Sequence, residues 1–232
     1  MNTNQLSERL AMVASFVPQH TVLADIGSDH AYLPCYLMNK GIISKAIAGE
    51  VVKGPYEQAK RNVEANGFTN MIDVRLANGL QAIQPTDEVE TVTIAGMGGT
   101  LITSILEAGK DLLSNVTRII AQPNIHAIAI REWAVANNFY LVDEEILQED
   151  GKIYEVLVLE RGTASYTPTE LLVGPILKEK ASAVFHAKWE REMAEWMRVL
   201  AALDQAEQTE EIQQKKAVIE QQYELIRKVL TT

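Results

Sequence analysis

Apolar residues recur along this chain at two spacings, and each change of spacing marks a change of element. From Asn4 to Val17, Leu6, Leu10, Val13 and Val17 fall at helical intervals, which predicts an amphipathic helix closed by Pro18. TVLADIG (21–27) is a β-branched, apolar run ending in glycine, and AYLPCYLMNKG (31–41) is a helix-length segment with Gly41 just past its end. Together they predict a strand, a tight turn and a helix. The unit recurs in KAIAGEV (45–51) with GPYEQAKRNVEANG (54–67), in TVTIAGMG (91–98) with GTLITSILEAGK (99–110), and in RIIAQPN (118–124) with HAIAIREWAVANN (126–138). IDVRL (72–76) adds a strand followed by the short Asn78–Ile83 segment.

Strands alternating with helices predict βαβ units and a parallel sheet covered on both faces. The last unit departs from that rhythm: YLVDEEILQ (140–148) and KIYEVLVLER (152–161) are two strand-like runs joined across Glu149-Asp150-Gly151, and Asp-Gly is a strong hairpin signal. The expected fold is therefore α/β and Rossmann-like, of the class I methyltransferase type, with a mostly parallel seven-stranded sheet ending in an antiparallel hairpin. Past Pro175 neither glycine nor proline occurs, which reads as long helices. Val184, Met193, Trp196, Leu200 and Leu203 share one helix face, and Ile212, Ile219, Tyr223, Ile226 and Leu230 another, across a polar break near Asp204–Thr209. Two domains follow: residues 1–162 for the sheet and 163–232 for a helical, coiled-coil tail.

Charge divides along the same line. Residues 1–160 carry 11 basic against 20 acidic side chains, whereas 161–232 carry 10 against 11. A net charge of −10 argues against coating nucleic acid by bulk electrostatics, while leaving room for a local basic face. Lys178, Lys180, Lys188, Arg191, Arg198, Lys215 and Lys216 could supply one, although Glu179, Glu190, Glu192 and Glu195 interleave with them. One cysteine and four scattered histidines give no metal-ligand spacing, and no apolar run is long enough to cross a membrane. The opening MNTNQLSERL has no basic segment leading into an apolar stretch, so no secretory leader and a cytoplasmic setting are expected. Oligomeric state is left open, a monomer being compatible with the sequence.

Ligands of doubly wound sheets bind beyond the carboxyl ends of the strands, at the switch point. Here that turn reads Asp25-Ile26-Gly27-Ser28-Asp29-His30-Ala31, with Asp29 where a dinucleotide fingerprint places its second glycine. Two carboxylates there would repel a pyrophosphate. They suit a cationic ligand such as S-adenosylmethionine, which offers a sulfonium and an ammonium. Glu50, followed by Val51, closes the second strand where an acidic side chain can accept from both ribose hydroxyls. Asn78-Gly79 is placed to meet the adenine edge, and Gly96-Met97-Gly98-Gly99 lets backbone approach a ligand closely. Gln122 and Asn124 carry amides able to orient a substrate.

DIGSDHAYLP, AIAGEVVKGPY, IAGMGG with the following LI, QPN and YEVLVLE, in that order, resemble the TrmK family of bacterial tRNA (adenine-22 N1)-methyltransferases over residues 1–160. The resemblance implies S-adenosylmethionine as cofactor, tRNA as partner, methylation of adenine N1, and a helical C-terminal extension. Asp29, His30, Gln122 and Asn124 are then the candidates for catalysis. Asp25, Gly27, Ser28, Asp29, His30, Glu50, Val51, Asn78, Gly79, Gly96, Met97 and Gly98 are the candidates for holding the cofactor. A methyltransferase for another substrate, or a non-catalytic RNA-binding scaffold, is the rival reading.

Several side chains have plainer roles open to them. Asp29 could merely cap the following helix and His30 bond a neighbouring carbonyl, while Cys35 and Met38 are expected in the core. The tryptophans of the tail are expected to anchor packing rather than stack on bases. Asp143-Glu144-Glu145 is expected to be a solvated face.

Overall fold

In the computed structural model, residues 3–207 and 209–231 are described; Gln208, inside the expected break, and the first two residues of the opening segment lie outside them. The strands are β1 (Val22–Ile26), β2 (Lys45–Glu50), β3 (Ile72–Leu76), β4 (Thr91–Met97), β5 (Arg118–Pro123), β6 (Phe139–Glu149) and β7 (Lys152–Arg161). They form one sheet in the order β3-β2-β1-β4-β5-β7-β6. Every pair from β3 to β5 is parallel, and β7 runs antiparallel between β5 and β6. Asp150 and Gly151 both take positive φ (49° and 74°), the backbone an Asp-Gly turn supplies for a two-residue hairpin.

Among the described residues, five α-helices accompany the sheet: α1 (Glu8–Ser15), α2 (Tyr32–Asn39), α3 (Lys53–Ala65), α4 (Gly99–Ala108) and α5 (Ala127–Ala136). The lead-in helix is shorter than its apolar pattern suggested because Ser7 caps it, its hydroxyl accepting from the Leu10 N–H. Leu10, Val13 and Val17 share one buried cluster with Leu33, Leu37 and Val63 of the next helices and with Leu23, Ala46, Ile120 and Val158 of the strands. Alternate strand positions, among them Ile47, Ile94, Ile119 and Leu157, are equally buried, so both sheet faces are covered. Cys35 lies in that core, and burial pushes its thiol up to about 11.

One expectation fails on β6. Glu144 is not solvated: it is fully buried and paired with Arg131 (Oε1 to Nε, 2.7 Å), which also reaches Glu155 (Nη2 to Oε2, 2.8 Å). The register of β6 against β7 slips between Leu141 and Asp143, so the buried positions change from Phe139 and Leu141 to Glu144 and Ile146. A bulge reverses which side chains face inward, and here it turns one carboxylate of the acidic run onto α5.

The chain divides into two compact units, Met1–Ser165 and Tyr166–Thr232. The second holds α6 (Pro168–Val173), α7 (Pro175–Lys180), α8 (Ala183–Asp204) and α9 (Glu210–Leu230). Thr167 and Glu170 form a capping box at α6. A left-handed Ala181 ends α7, and Ser182 starts α8 afresh, so the first of the two expected tail helices is itself divided. Asp204 pairs with Lys216, and Met197 meets Tyr223 (3.7 Å), contacts that make α8 and α9 an antiparallel pair. Phe185 and Trp189 are buried, with Trp196 tilted against Trp189 at 6.3 Å.

Candidate active site

Sheet order sets four turns side by side at one edge, after β3, β2, β1 and β4, with the end of β5 beyond them. The turn between β1 and α2 lies at the switch point. Gly27 is left-handed (φ 69°), and so are three consecutive non-glycine residues, Asp29 (44°), His30 (73°) and Ala31 (58°). L-residues rarely take that conformation even singly, so the surroundings must enforce it. The Gly49 carbonyl accepts from the N–H groups of Gly27 (2.9 Å) and Ser28 (3.1 Å). A Glu50 oxygen accepts from the His30 N–H (3.3 Å), and the Asp29 N–H also donates to that carboxylate. From α3, the Asn62 amide donates to the His30 carbonyl (2.9 Å).

Within this turn the candidates separate by what they can reach. Asp25 is enclosed, accepting from the Ser28 hydroxyl (2.5 Å) and the Thr93 hydroxyl (2.6 Å), so Asp25 and Ser28 form the internal brace. Burial pushes the Asp25 carboxyl up to about 6, against the pull of those two hydroxyls and with a further push from Asp29. Glu50 is likewise raised, chiefly by burial. Asp29 points outward with its side chain 72% exposed, and α2 is capped at Ala31 without any side-chain bond, so Asp29 is not a helix cap. His30 Nε2 lies 3.4 Å from Asp29 Oδ1, and its Nδ1 is buried with no hydrogen-bond partner among the described residues.

Neighbouring turns complete the rim. Val51, Val52 and Leu76 are exposed beside the buried Glu50. Asn78 is exposed and Gly79 left-handed, with room beside it only for hydrogen: a β-carbon there would come within 2.9 Å of Ile105. Register slips between Ala95 and Met97, leaving Gly96 as an exposed bulge with φ 79°. The Met97 side chain reaches over Gly27, tying the two turns together. Gly98 caps α4, and a β-carbon on Gly99 would overlap the His126 carbonyl.

At the end of β5 the two amides do different things. Gln122 is fully buried, and its amide is engaged internally, so it does not present a free edge to a substrate. Asn124 is exposed, its Nδ2 donating to the Gly96 carbonyl (2.7 Å) and its N–H to the Met97 carbonyl (2.7 Å). The pattern of residues did not single out Thr93, Asn62 or Arg9. Thr93 had a signal, since Thr91 and Thr93 are polar positions in an otherwise apolar strand; Arg9 had none, because its partner lies 113 residues away.

Three carboxylates around a turn braced for close backbone approach favour a cationic ligand over an anionic one. Comparison with known proteins gives the same direction. TrmK, described as tRNA (adenine(22)-N(1))-methyltransferase, matches residues 23–228. The tRNA (adenine(22)-N(1))-methyltransferase of Bacillus subtilis (strain 168) is 48% identical, over 99% of this chain and 99% of that protein. A Streptococcus pneumoniae protein crystallised with S-adenosyl-L-methionine superposes with a TM-score of 0.89 at 45% identity, covering 97% of this chain and 100% of the other. TrmK of M. capricolum, solved with S-adenosyl-homocysteine, gives 0.86 at 28% identity over 97% and 98%. The left-handed acidic turn, the glycine bulge and the Gln-Pro-Asn strand end are thus features of a chain that belongs to the TrmK family of tRNA (adenine(22)-N(1))-methyltransferases.

Proposed function

We propose that this chain transfers the methyl group of S-adenosylmethionine to N1 of adenine 22 in tRNA. The observation that carries the reading is the switch-point turn, where Asp25, Asp29 and Glu50 gather negative charge at the place a nucleotide-binding fold reserves for phosphate. The chemistry of those side chains fits the cofactor: Glu50 would accept from ribose hydroxyls, the Asn78-Gly79 turn would offer the adenine a polar edge, and Asp29 would offset positive charge. When bound, the cofactor supplies an electrophilic methyl on its sulfonium. Gly96 and Gly98 would let backbone come close to a bound cofactor without side chains in the way.

Adenine N1 attacks with its own lone pair, so no residue need first remove a proton. What the chain must do is hold N1 in line with the methyl carbon, a contribution that reaches about 7–11 kcal/mol in good cases. Asn124, exposed beside the Gly96 bulge, is the group that meets the base edge, with Gln122 behind it. Methylation leaves the base cationic, and Asp29 with His30 beside it supplies the compensating charge and a hydrogen-bonding partner at the mouth of the site. N1 is engaged in pairing or tertiary contacts within folded RNA, so the base has to be extruded to meet the methyl group.

Tyr166–Thr232 is the proposed tRNA grip. Arg198 is paired with Glu195, Lys216 with Asp204, Lys178 interacts with the Glu170 carboxylate, and Lys188 lies over the Trp189 ring at 4.4 Å, so Arg191 and Lys215 are the clearest phosphate contacts. Incubation with labelled S-adenosylmethionine and unmodified tRNA transcripts, followed by mapping of the modified nucleotide, tests the reading. A 1-methyladenine at position 22 is expected; label appearing elsewhere, or on protein or small molecules alone, would overturn it.

A further inference from the structure

We propose that Arg9, on the lead-in helix, is a positioning residue for methyl transfer: it fixes the orientation of the Gln122 amide and, through it, Asn124 and the Gly96 bulge. This rests on the methyltransferase reading above. Gln122 Oε1 accepts from Arg9 Nη1 and from the Gly96 N–H (3.0 Å), while Nε2 donates to the Pro123 carbonyl (2.9 Å) and, at 3.4 Å, to Asn124 Oδ1. Both faces of this fully buried amide are therefore used. An amide turned over would set its NH2 against a guanidinium and a backbone N–H, three donors with no acceptor among them. Arginine is donor-only and always charged, so it holds the amide in the one orientation that leaves a donor for Asn124.

Arg9 is itself held by the hairpin of β6 and β7. Glu149 accepts from the Glu8 N–H (2.5 Å) and the Arg9 N–H (3.4 Å), and the guanidinium lies 5.4 Å from the Tyr154 ring centroid. It also packs against the bulge, for a β-carbon on Gly96 would stand 3.6 Å from Nη1. A chain of contacts thus runs from the hairpin tip through α1 to the edge where the acceptor base meets the methyl group. Arg9 is half-buried and turns its Nη1 inward to Gln122, which suits alignment better than a grip on phosphate.

Single-turnover methylation at saturating cofactor and tRNA decides it. Arg9→Met, which keeps the stem and removes the donor, should lower the rate at saturation by about 10²-fold, the scale of loss that a 1 Å misplacement produces, with affinities for cofactor and tRNA unchanged. Arg9→Lys keeps a donor and should recover part of the rate; it carries the test if Arg9→Met does not fold. In the double variant, Arg9→Met should add nothing to the loss caused by Gln122→Met. Weakened tRNA binding with a flatter salt dependence and an intact rate at saturation would make Arg9 a phosphate contact and overturn the proposal. An unchanged rate, or additive losses in the double variant, would overturn it as well. No methylation by the unaltered chain would remove the methyltransferase reading itself, a result distinct from all of these.

Discussion

Asp25 sits where its own charge is disfavoured, and that makes the site sensitive to pH. Its carboxyl is raised to about 6 in the folded chain, so the neutral form is the better tolerated one. The cost of ionising it is absent below the ordinary carboxylate range and complete above about 6, where it amounts to roughly 2–3 kcal/mol. Unfolding free energy measured without cofactor should therefore fall between pH 4 and 7, and Asp25→Asn should flatten that decline. A cationic ligand prefers the ionised form, so S-adenosylmethionine affinity should rise over the same interval; calorimetry giving a flat profile would separate Asp25 from the cofactor's charge. Glu50→Ala should weaken cofactor binding by about 1.5–3 kcal/mol, because a charge-assisted acceptor is lost and the left-handed turn loses its brace. Titration of that variant with undiminished affinity would remove Glu50 from the site. The acidic turn was legible in the sequence because a carboxylate in place of glycine is a local anomaly. That a carboxylate ending a strand, as Asp25 does, anchors its turn could be expected; that Thr93 is its partner and that Asp29 reaches outward were not legible, since they lie in a neighbouring strand and in three positive φ angles that no residue type announces.

The elements followed from periodicity almost throughout the sheet, yet two features escaped it. The helix breaks before α8 come from single caps, and the fate of Glu144 comes from one extra residue in β6. The bulge is not visible in the pattern, because Val142 is as apolar as Leu141 before it and the three acidic residues that follow read as one polar run. The buried Arg131–Glu144–Glu155 group that results ties α5 to both strands of the hairpin. Arg131→Met should lower stability by about 3–5 kcal/mol, since carboxylates would stay buried without their guanidinium. Thermal unfolding would show it, and a variant melting with the unaltered chain would mean that water or other groups compensate. At the start of α4, Gly99→Ala should cost about 1–3 kcal/mol, the usual range for forcing extra atoms into a packed site. Its β-carbon would strike the His126 backbone carbonyl, which cannot swing aside as a side chain could. Denaturant midpoints for Gly99→Ala and, as a control, Gly54→Ala, where nothing lies within 4 Å, distinguish this clash from a general glycine effect.

At the scale of the whole molecule, an acidic sheet unit adjoins in sequence a nearly neutral helical one. We expect a chain ending at Ser165 to fold and to bind S-adenosylmethionine, because its sheet and core are complete by then. Its action on tRNA should collapse, since phosphate contacts carry much of RNA affinity and the remaining charge repels RNA. Methylation by the shortened chain as efficient as by the full one would assign Tyr166–Thr232 to another task. The insertion of β7 between β5 and β6 bears on how the chain is made. While the polypeptide is being synthesised, β1 to β4 and the cofactor turn can assemble as they emerge, whereas β5 has no partner on its outer edge until Arg161 is free. Helix α1, finished first, must wait for Glu149, 141 positions later, to clamp its amino end. The half bearing the switch-point turn is thus poised to form early, and the half bearing Gln122 and Asn124 closes last, through contacts between residues 141 and 140 positions apart. Late closure of that kind slows folding and leaves the β5 edge open on the nascent chain, the interval in which a chaperone would have something to hold.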